Sequence, residues 1–444
     1  MTKKLFFPIL IIIIASCGSK DDWKPLFNGQ NFDDFKQLGG EALFKVENGE
    51  MVGIAVAGTP NSFMATENVF GDFILEFEMK ADVDFNSGVQ IRSHYNERVY
   101  GYQYEIDPTD RGWSGGIYDE SRKGWLYPVT VYNPDAKNAF KYDEWNKCRV
   151  EAIGSRITTW LNDIPISDLL DNEDNEGFIA FQVHSVSDEN VGKEVRFRNI
   201  RIVTKNLEKY SKQSEVAIYQ VNRIPNTISD FEKSEGWRLL FDGETHNGWR
   251  GAHSEQFPEK GWTIKDGILS VEPSTGAESQ NGGDIVTEEE FSDFILSLEF
   301  LITPGANSGI KYFVTEKYNT SGSAIGLEYQ ILDDNLHPDA KMGKNGNRTL
   351  SSLYDLIPAK NKRFNGVGEW NYACIVSKGQ NVEHWLNGFK VLEYERGSSN
   401  YIELVKESKY SIFENFGEAE KGRILLQDHG DEVSFRSIKI KVLQ

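Results

Sequence analysis

The sequence repeats itself. Segments from the first half of the 444-residue chain return in the same order in the second. WKPLFNG at Trp23 recurs as WRLLFDG at Trp237, GDFILEFEMKADVDFNSG as SDFILSLEFLITPGANSG, and EWNKCRVEAIGSRITTWLND as EWNYACIVSKGQNVEHWLNG. Last in each half, FIAFQVHS with VRFRNIRI is matched by RILLQDHG with VSFRSIKI. A repeat kept in order over this length is a tandem duplication, so whatever architecture suits one half must suit the other. Two domains of about 180 to 210 residues each are therefore expected.

Within each half, short alternating runs such as FILEFEM and VSFRSIKI are separated by Gly, Asn, Asp and Pro, and helical periodicity is almost absent. Alternation places successive side chains on opposite faces of a strand. The predicted fold is all-β, two tandem jelly-roll sandwiches at 23–205 and 236–444. The polar segment 206–235 reads as a linker carrying one short helix. The repeated Asn-Ser-Gly at Asn86 and Asn307 reads as a turn, with Asn and Gly supplying left-handed or tight conformations.

Lys3 and Lys4 precede an apolar run from Leu5 to Ile14 that is too short to span a bilayer, so 1–16 reads as a secretory signal. Ile14, Ala15, Ser16 and Cys17 match a lipobox. Cys17 is the expected lipidation site, 17–22 the tether, and an outer-membrane lipoprotein facing the periplasm or the cell surface the expected product. A formal charge of -20 opposes nucleic acid as a partner, because phosphate binding needs a basic face. Cys148 and Cys374 sit one register step apart in the two halves and are expected as buried free thiols rather than a pair.

Residues two apart on a strand share a face. Gln90 and Arg92 fall together after the first Asn-Ser-Gly, and Lys311 takes the place of Gln90 in the second copy, giving each half one cation. GYQYEID aligns Gln103, Glu105 and Asp107, while GLEYQILDD aligns Glu328 and Gln330, with Asp333 just beyond. The carboxylate and the amide have exchanged places. A carboxylate on a buried face is costly unless paired, so its retention in both halves points to a site. Gln182 with His184, and Gln427 with His429, add an amide and an imidazole to each face. Tyr118 and Tyr354 follow at matching places. His384 stands where the first half has Thr159, and His337 to Thr349 has no equivalent there, whereas Trp113 and Trp125 belong to the first half alone. The unequal loops predict unequal pockets. No phosphate loop, paired-cysteine metal spacing, HExxH or G-x-S-x-G elbow is present.

With these motifs in order, both halves resemble the 3-keto-disaccharide hydrolase family. The resemblance lies in YQYEIDPTDRGWSGGIYDESRKGWL, in GLEYQILDDNLHPDAKMGKNGNRTLSSLYDLIPAKNKRFNGVGEWN, and in HWLNG and ILLQDHGDEVSFRSIKIK. Ser437 departs from it, standing where the family usually has Asn. The resemblance implies a concanavalin-A-like jelly roll acting on carbohydrate, downstream of a sugar 3-dehydrogenase that installs the ketone. That ketone acidifies the C2 proton, so a modest base can start elimination of the C1 aglycone, with or without later hydration. This chemistry needs a base, an oxyanion stabiliser and an acid. In the second copy the expected set is Glu328 or His429, Lys311, and Tyr354 or His384; in the first it is Glu105 or His184, Arg92, and Tyr118. Gln90, Gln103, Asp107, Trp113, Trp125, Gln182, Gln330, Asp333 and Gln427 are expected to bind substrate. No organic cofactor is expected, and a divalent cation held by Asp and His stays open. The competing expectation is a lectin-like carbohydrate-binding protein without chemistry.

Overall fold

The computed structural model describes residues 22–274, 279 and 281–443. The signal segment and Cys17 lie outside them. The described chain separates into two units, the first running to Asp168 and then Glu173–Tyr219, the second comprising Leu169–Asn172 and the residues from Gln220 onward.

Each unit is a two-sheet sandwich of antiparallel strands. In the first, one sheet runs Ile164–Leu170, Arg156–Leu161, Asn146–Ile153, Phe73–Ala81, Glu194–Val203, Glu50–Ile54, Leu43–Glu47. The facing sheet runs Gly124–Tyr127, Ile117–Glu120, Arg98–Ile106, Ser87–Asn96, Phe178–Val183, Ser62–Thr66, Phe35–Gly39. Phe73–Ala81 shows why the layers form. Leu75, Phe77 and Met79 point inward, and Phe77 meets Tyr104 and Phe181 of the opposite sheet at ring-centroid distances of 5.5 and 6.3 Å. The intervening Glu76 and Glu78 face outward to Arg201 and Arg198.

The second unit repeats the plan. One sheet runs Trp262–Lys265, Ile268–Val271, Val433–Val442, Phe294–Ile302, Asn371–Lys378, Asn381–Leu386, Phe389–Glu395, and the other Trp249–Gly251, Ile285–Thr287, Arg423–Leu426, Asn307–Val314, Leu327–Leu332. The expected short helix is Asp230–Ser234, started by a capping box between Ser229 and Glu232. It packs in this unit through a buried Glu232–Lys439 ion pair at 2.9 Å. Ser437 is structural, since its backbone N–H donates to Asn226 at 2.7 Å. Both cysteines are free, Cys148 buried and Cys374 only partly so.

The Asn-Ser-Gly motif is not a turn. The left-handed residues lie earlier, at Asp84 (φ 58°) and Gly305 (φ 77°), and the motif already belongs to the strand or its threshold. Each of its residues has a separate task. Ser87 and Ser308 donate to the backbone carbonyls of Gln182 and Gln427 at 2.7 and 2.8 Å, tying this strand to the Gln-x-His strand. Gly88 and Gly309 leave room, because a Cβ there would overlap the side chain of Gln103 or Glu328 lying across the strand.

Arg92 corrects the face argument. It adopts φ 45° at a bulge that shifts the register between Ile91 and His94, so the strict two-residue alternation fails at that point. Its fully buried guanidinium bonds the carbonyls of Gly71 and Gly154 at 2.8 and 2.7 Å and the Asp72 carboxylate at 2.8 Å, away from Gln90 and Gln103. In the second copy the bulge residue is Phe313 (φ 55°), and Arg396, from the turn that follows the strand Phe389–Glu395, stacks on it at 3.7 Å and bonds the carbonyl of Gly379 at 3.2 Å. Gly379 is the repeat equivalent of Gly154. Each copy thus has a guanidinium at this junction, supplied by the bulged strand itself in the first and by a turn in the second.

Candidate functional site

In the second copy, Asn307–Val314 and Leu327–Leu332 pair so that Lys311 lies directly opposite Glu328, and Gly309 opposite Gln330. Same-face residues of adjacent strands therefore converge. Together with Gln427, His429, Asn307 and Tyr354 they line a cavity of about 440 Å³. Lys311 is 5% exposed; it bonds Ser323 Oγ and, at 3.2 Å, the carbonyl of Ala324, and lies 3.8 Å from Asp284. The Lys311 amine thus sits among oxygen acceptors at the cavity.

A chain of amides links the carboxylate to the imidazole. The Gln330 amide lies 3.2 Å from Glu328 Oε1 and 3.2 Å from the Asn307 amide, which in turn lies 3.2 Å from His429 Nε2. Amide orientations follow from the network as a whole. A carboxylate only accepts, so Gln330 turns its NH2 to Glu328, Asn307 turns its NH2 to Gln330, and the Asn307 carbonyl faces His429. His429 then carries its proton on Nε2. Its Nδ1, which has no hydrogen-bond partner among the described residues, keeps the basic lone pair.

The equivalent floor in the first copy closes on itself. Ser93 donates to Gln90, Gln90 to Gln103, and Gln103 to Glu105, at 2.6, 2.6 and 2.8 Å. Asn86 adds a second donor to Glu105 at 2.7 Å. Burial pushes the Glu105 carboxyl up to about 6, against the lowering effect of Asn86 and Gln103. Gln90 holds the position of Lys311, and Arg92 serves the frame. Gln182 is buried with neither amide atom hydrogen-bonded among the described residues. His184 holds the carbonyl of Ser185 through Nδ1 at 2.7 Å.

Several expected residues are placed elsewhere. His384 is in the core: Nδ1 donates to the Ser351 carbonyl at 3.0 Å and Nε2 accepts from Tyr312 at 2.8 Å, with no exposure. Asp333 accepts the backbone N–H groups of Gly305 and Asn335 at 2.8 and 3.0 Å, shaping the loop rather than facing the cavity. Asp107 is held by Arg111 at 2.7 Å, and Arg111 lies over Trp113 and Trp125 at 4.4 and 5.0 Å. Trp113 is buried and Trp125 half-buried beside Tyr118, so of the two tryptophans only Trp125 offers surface. Tyr354 does line the cavity, but its hydroxyl donates to Asp339 at 2.7 Å. Its proton is already committed there, and burial raises its pKa further.

Burial also lowers His384, to about 4 from 6.5. Between those values the unfolded chain binds a proton that the folded chain refuses, so stability falls as pH drops through this window. The effect is about 2 kcal/mol between pH 7 and pH 5. Urea denaturation of wild type and His384→Gln at both pH values should show the difference shrinking in the variant.

The sequence reading misses several cavity residues, among them the polar Lys409 and Tyr410 and the apolar Ile325, Ile412 and Phe413. Lys409 and Tyr410 come from the 3-10 turn Lys409–Ile412, which has no counterpart in the first half. Tyr410 Oη lies 3.5 Å from Glu328 Oε2, and its ring stacks on Phe416 at 4.1 Å. The absence of a repeat partner was the available signal. His337 was likewise noted only as part of an insertion; with His429 and Asp431 it offers ligand atoms within 4.8 Å of one another. Of the three, His337 also accepts the Asp339 N–H through Nδ1 at 3.2 Å.

The family described as 3-keto-alpha-glucoside-1,2-lyase-like domain matches residues 22–203 and again 236–441. The chain belongs to this family, twice over. A 3-keto-disaccharide hydrolase of Bacteroides thetaiotaomicron is 40% identical over 255 residues, covering 53% of this chain and 86% of that one. Among solved structures, a candidate glycosyl hydrolase from Parabacteroides distasonis is 30% identical, covers 50% of this chain and all (100%) of its own, and superposes with a TM-score of 0.44. A second from the same organism is 26% identical, with coverages of 47% and 99% and a TM-score of 0.36. In this 3-keto-alpha-glucoside-1,2-lyase-like chain the two copies share the frame and differ at the floor, where Lys311 and Glu328 face each other in one and Gln90 and Gln103 in the other.

Proposed function

We propose that the protein cleaves 3-keto-glycosides and that the second copy performs the chemistry. The observation that supports this most is the conjunction of Lys311, Glu328 and His429 around one cavity, set against the self-satisfied amide chain of the first copy. Glu328 removes the C2 proton, and the Lys311 ammonium stabilises the enolate oxygen at C3. The C1–O bond then breaks as the C1–C2 double bond forms, and Tyr410 protonates the departing aglycone oxygen. Water adds to C1 with its proton passing to His429 Nδ1, the proton held by Glu328 returns to C2, and His429 restores Tyr410 through solvent. The net change is hydrolysis. The family description names a lyase and the Bacteroides relative a hydrolase, and the two names fit the first half-step alone and both half-steps in sequence.

His429→Ala is expected to release the unsaturated 1,2-ene product instead of the 3-keto sugar, as read by product NMR on a 3-keto-glucoside. Glu105→Gln with His184→Ala in the first copy should leave turnover within about twofold of wild type, as for changes outside a reacting site. Loss of turnover with the first-copy pair, or full hydrolysis by His429→Ala, would overturn the assignment. Family membership does not favour a lectin-like role for the whole chain. A sugar 3-dehydrogenase as supplier of the ketone, and Cys17 acylation in the outer membrane, belong to the same proposal.

A further inference from the structure

The cavity of the second copy has a polar floor and an apolar rim. Ile412 stands at the rim 79% exposed, beside the partly buried Ile325 and Phe413. An isoleucine this exposed on a loose loop would need no explanation. Here the loop is pinned. The Lys409 N–H donates to Asp355 at 2.9 Å, the Phe413 N–H closes on the Tyr410 carbonyl at 2.9 Å, and Tyr318 Oη donates to the carbonyls of Glu414 and Asn415 at 3.0 and 3.1 Å. The Tyr318 and Phe413 rings also meet at 5.2 Å. An apolar side chain is thus held in water at the mouth of a sugar-sized polar site, on a turn absent from the first copy.

We infer that Ile412, Phe413 and Ile325 form the aglycone subsite and select 3-keto-glucosides with an apolar, planar aglycone over 3-keto-disaccharides. The inference rests on the proposed function for the reaction but not for the subsite. The chemistry of the leaving group agrees with it. Both cavity tyrosines point their protons at carboxylates, Tyr354 at Asp339 at 2.7 Å and Tyr410, more loosely at 3.5 Å, at Glu328. A phenolic leaving group, with a pKa of about 10 like the tyrosine side chain, needs less proton donation than a sugar alkoxide. An apolar ring would also cover the surface that Ile412 exposes, while a second sugar would lay hydroxyls against it.

The test has two arms. In the first, kcat/KM is compared for the 3-keto forms of phenyl glucoside, methyl glucoside and a glucosyl disaccharide, with wild type and Ile412→Ser. Wild type should prefer the phenyl substrate through KM by about tenfold, and Ile412→Ser should bring the phenyl-to-methyl ratio close to one. In the second, calorimetry measures binding of unoxidised phenyl and methyl glucoside, which requires no turnover. Equal affinity for the two glucosides, or an Ile412→Ser variant that keeps the phenyl preference, overturns the subsite. A phenyl preference that depends on Ile412 without turnover of any keto-glycoside upholds the subsite and overturns the reaction.

Discussion

Glu328→Gln is expected to lower kcat on a 3-keto-glucoside by about 10³, within the span usual for loss of a positioned general base. The substitution keeps the shape, so the side chain still fits over Gly309 and can still accept from Gln330. What it loses is proton affinity. Because proton removal from C2 precedes every later event, the loss should appear equally in kcat and kcat/KM. It should also abolish exchange of the C2 proton for solvent deuterium, followed by NMR before product accumulates. Exchange at the wild-type rate in Glu328→Gln would transfer the base role to His429, whose Nδ1 is the other proton acceptor at the cavity.

Lys311→Met is the second large effect. The C3 oxygen becomes an anion only as the C2 proton leaves, so a fixed cation there acts mainly on the transition state and should be worth about 10² to 10³ in kcat with little change in KM. Methionine keeps the length and apolar stem of lysine but not its charge. Lys311 is also bonded to Ser323 and the Ala324 carbonyl and lies near buried Asp284, so a urea midpoint must accompany the kinetics. Lys311→Arg provides the control. It retains charge but not the compact ammonium, and recovery of part of the rate would separate electrostatic stabilisation from packing. A Lys311→Met enzyme that turns over normally would remove the oxyanion argument altogether.

Much of this protein was legible before any coordinates. The ordered repeat and the period-two alternation determined two all-β sandwiches, because a strand's faces are set by backbone geometry alone. The same alternation correctly aligned Lys311, Glu328, Gln330 and His429 in the second copy, where no bulge separates Lys311 from the start of its strand. It failed one step beyond, at Arg92, where a single left-handed residue turned the side chain into the frame. It does not tell the two faces of the Asn381–Leu386 strand apart, so His384 stands as an alternative proton donor in the sequence although it is sealed between Tyr312 and Ser351. Lys409 and Tyr410 reach the cavity from about 80 residues beyond Glu328, by the path of a loop that only the folded chain defines.

The repeated Asn-Ser-Gly shows where that division falls. The sequence by itself determined that both copies need it, since duplication preserved it. Tertiary structure alone decided why: serine ties two strands together, glycine makes space for a side chain crossing from the next strand, and asparagine contacts the acid Glu105 in one copy and the imidazole of His429 in the other. Those are contacts between strands distant in sequence, and no local pattern encodes which partner a hydrogen-bonding side chain will find.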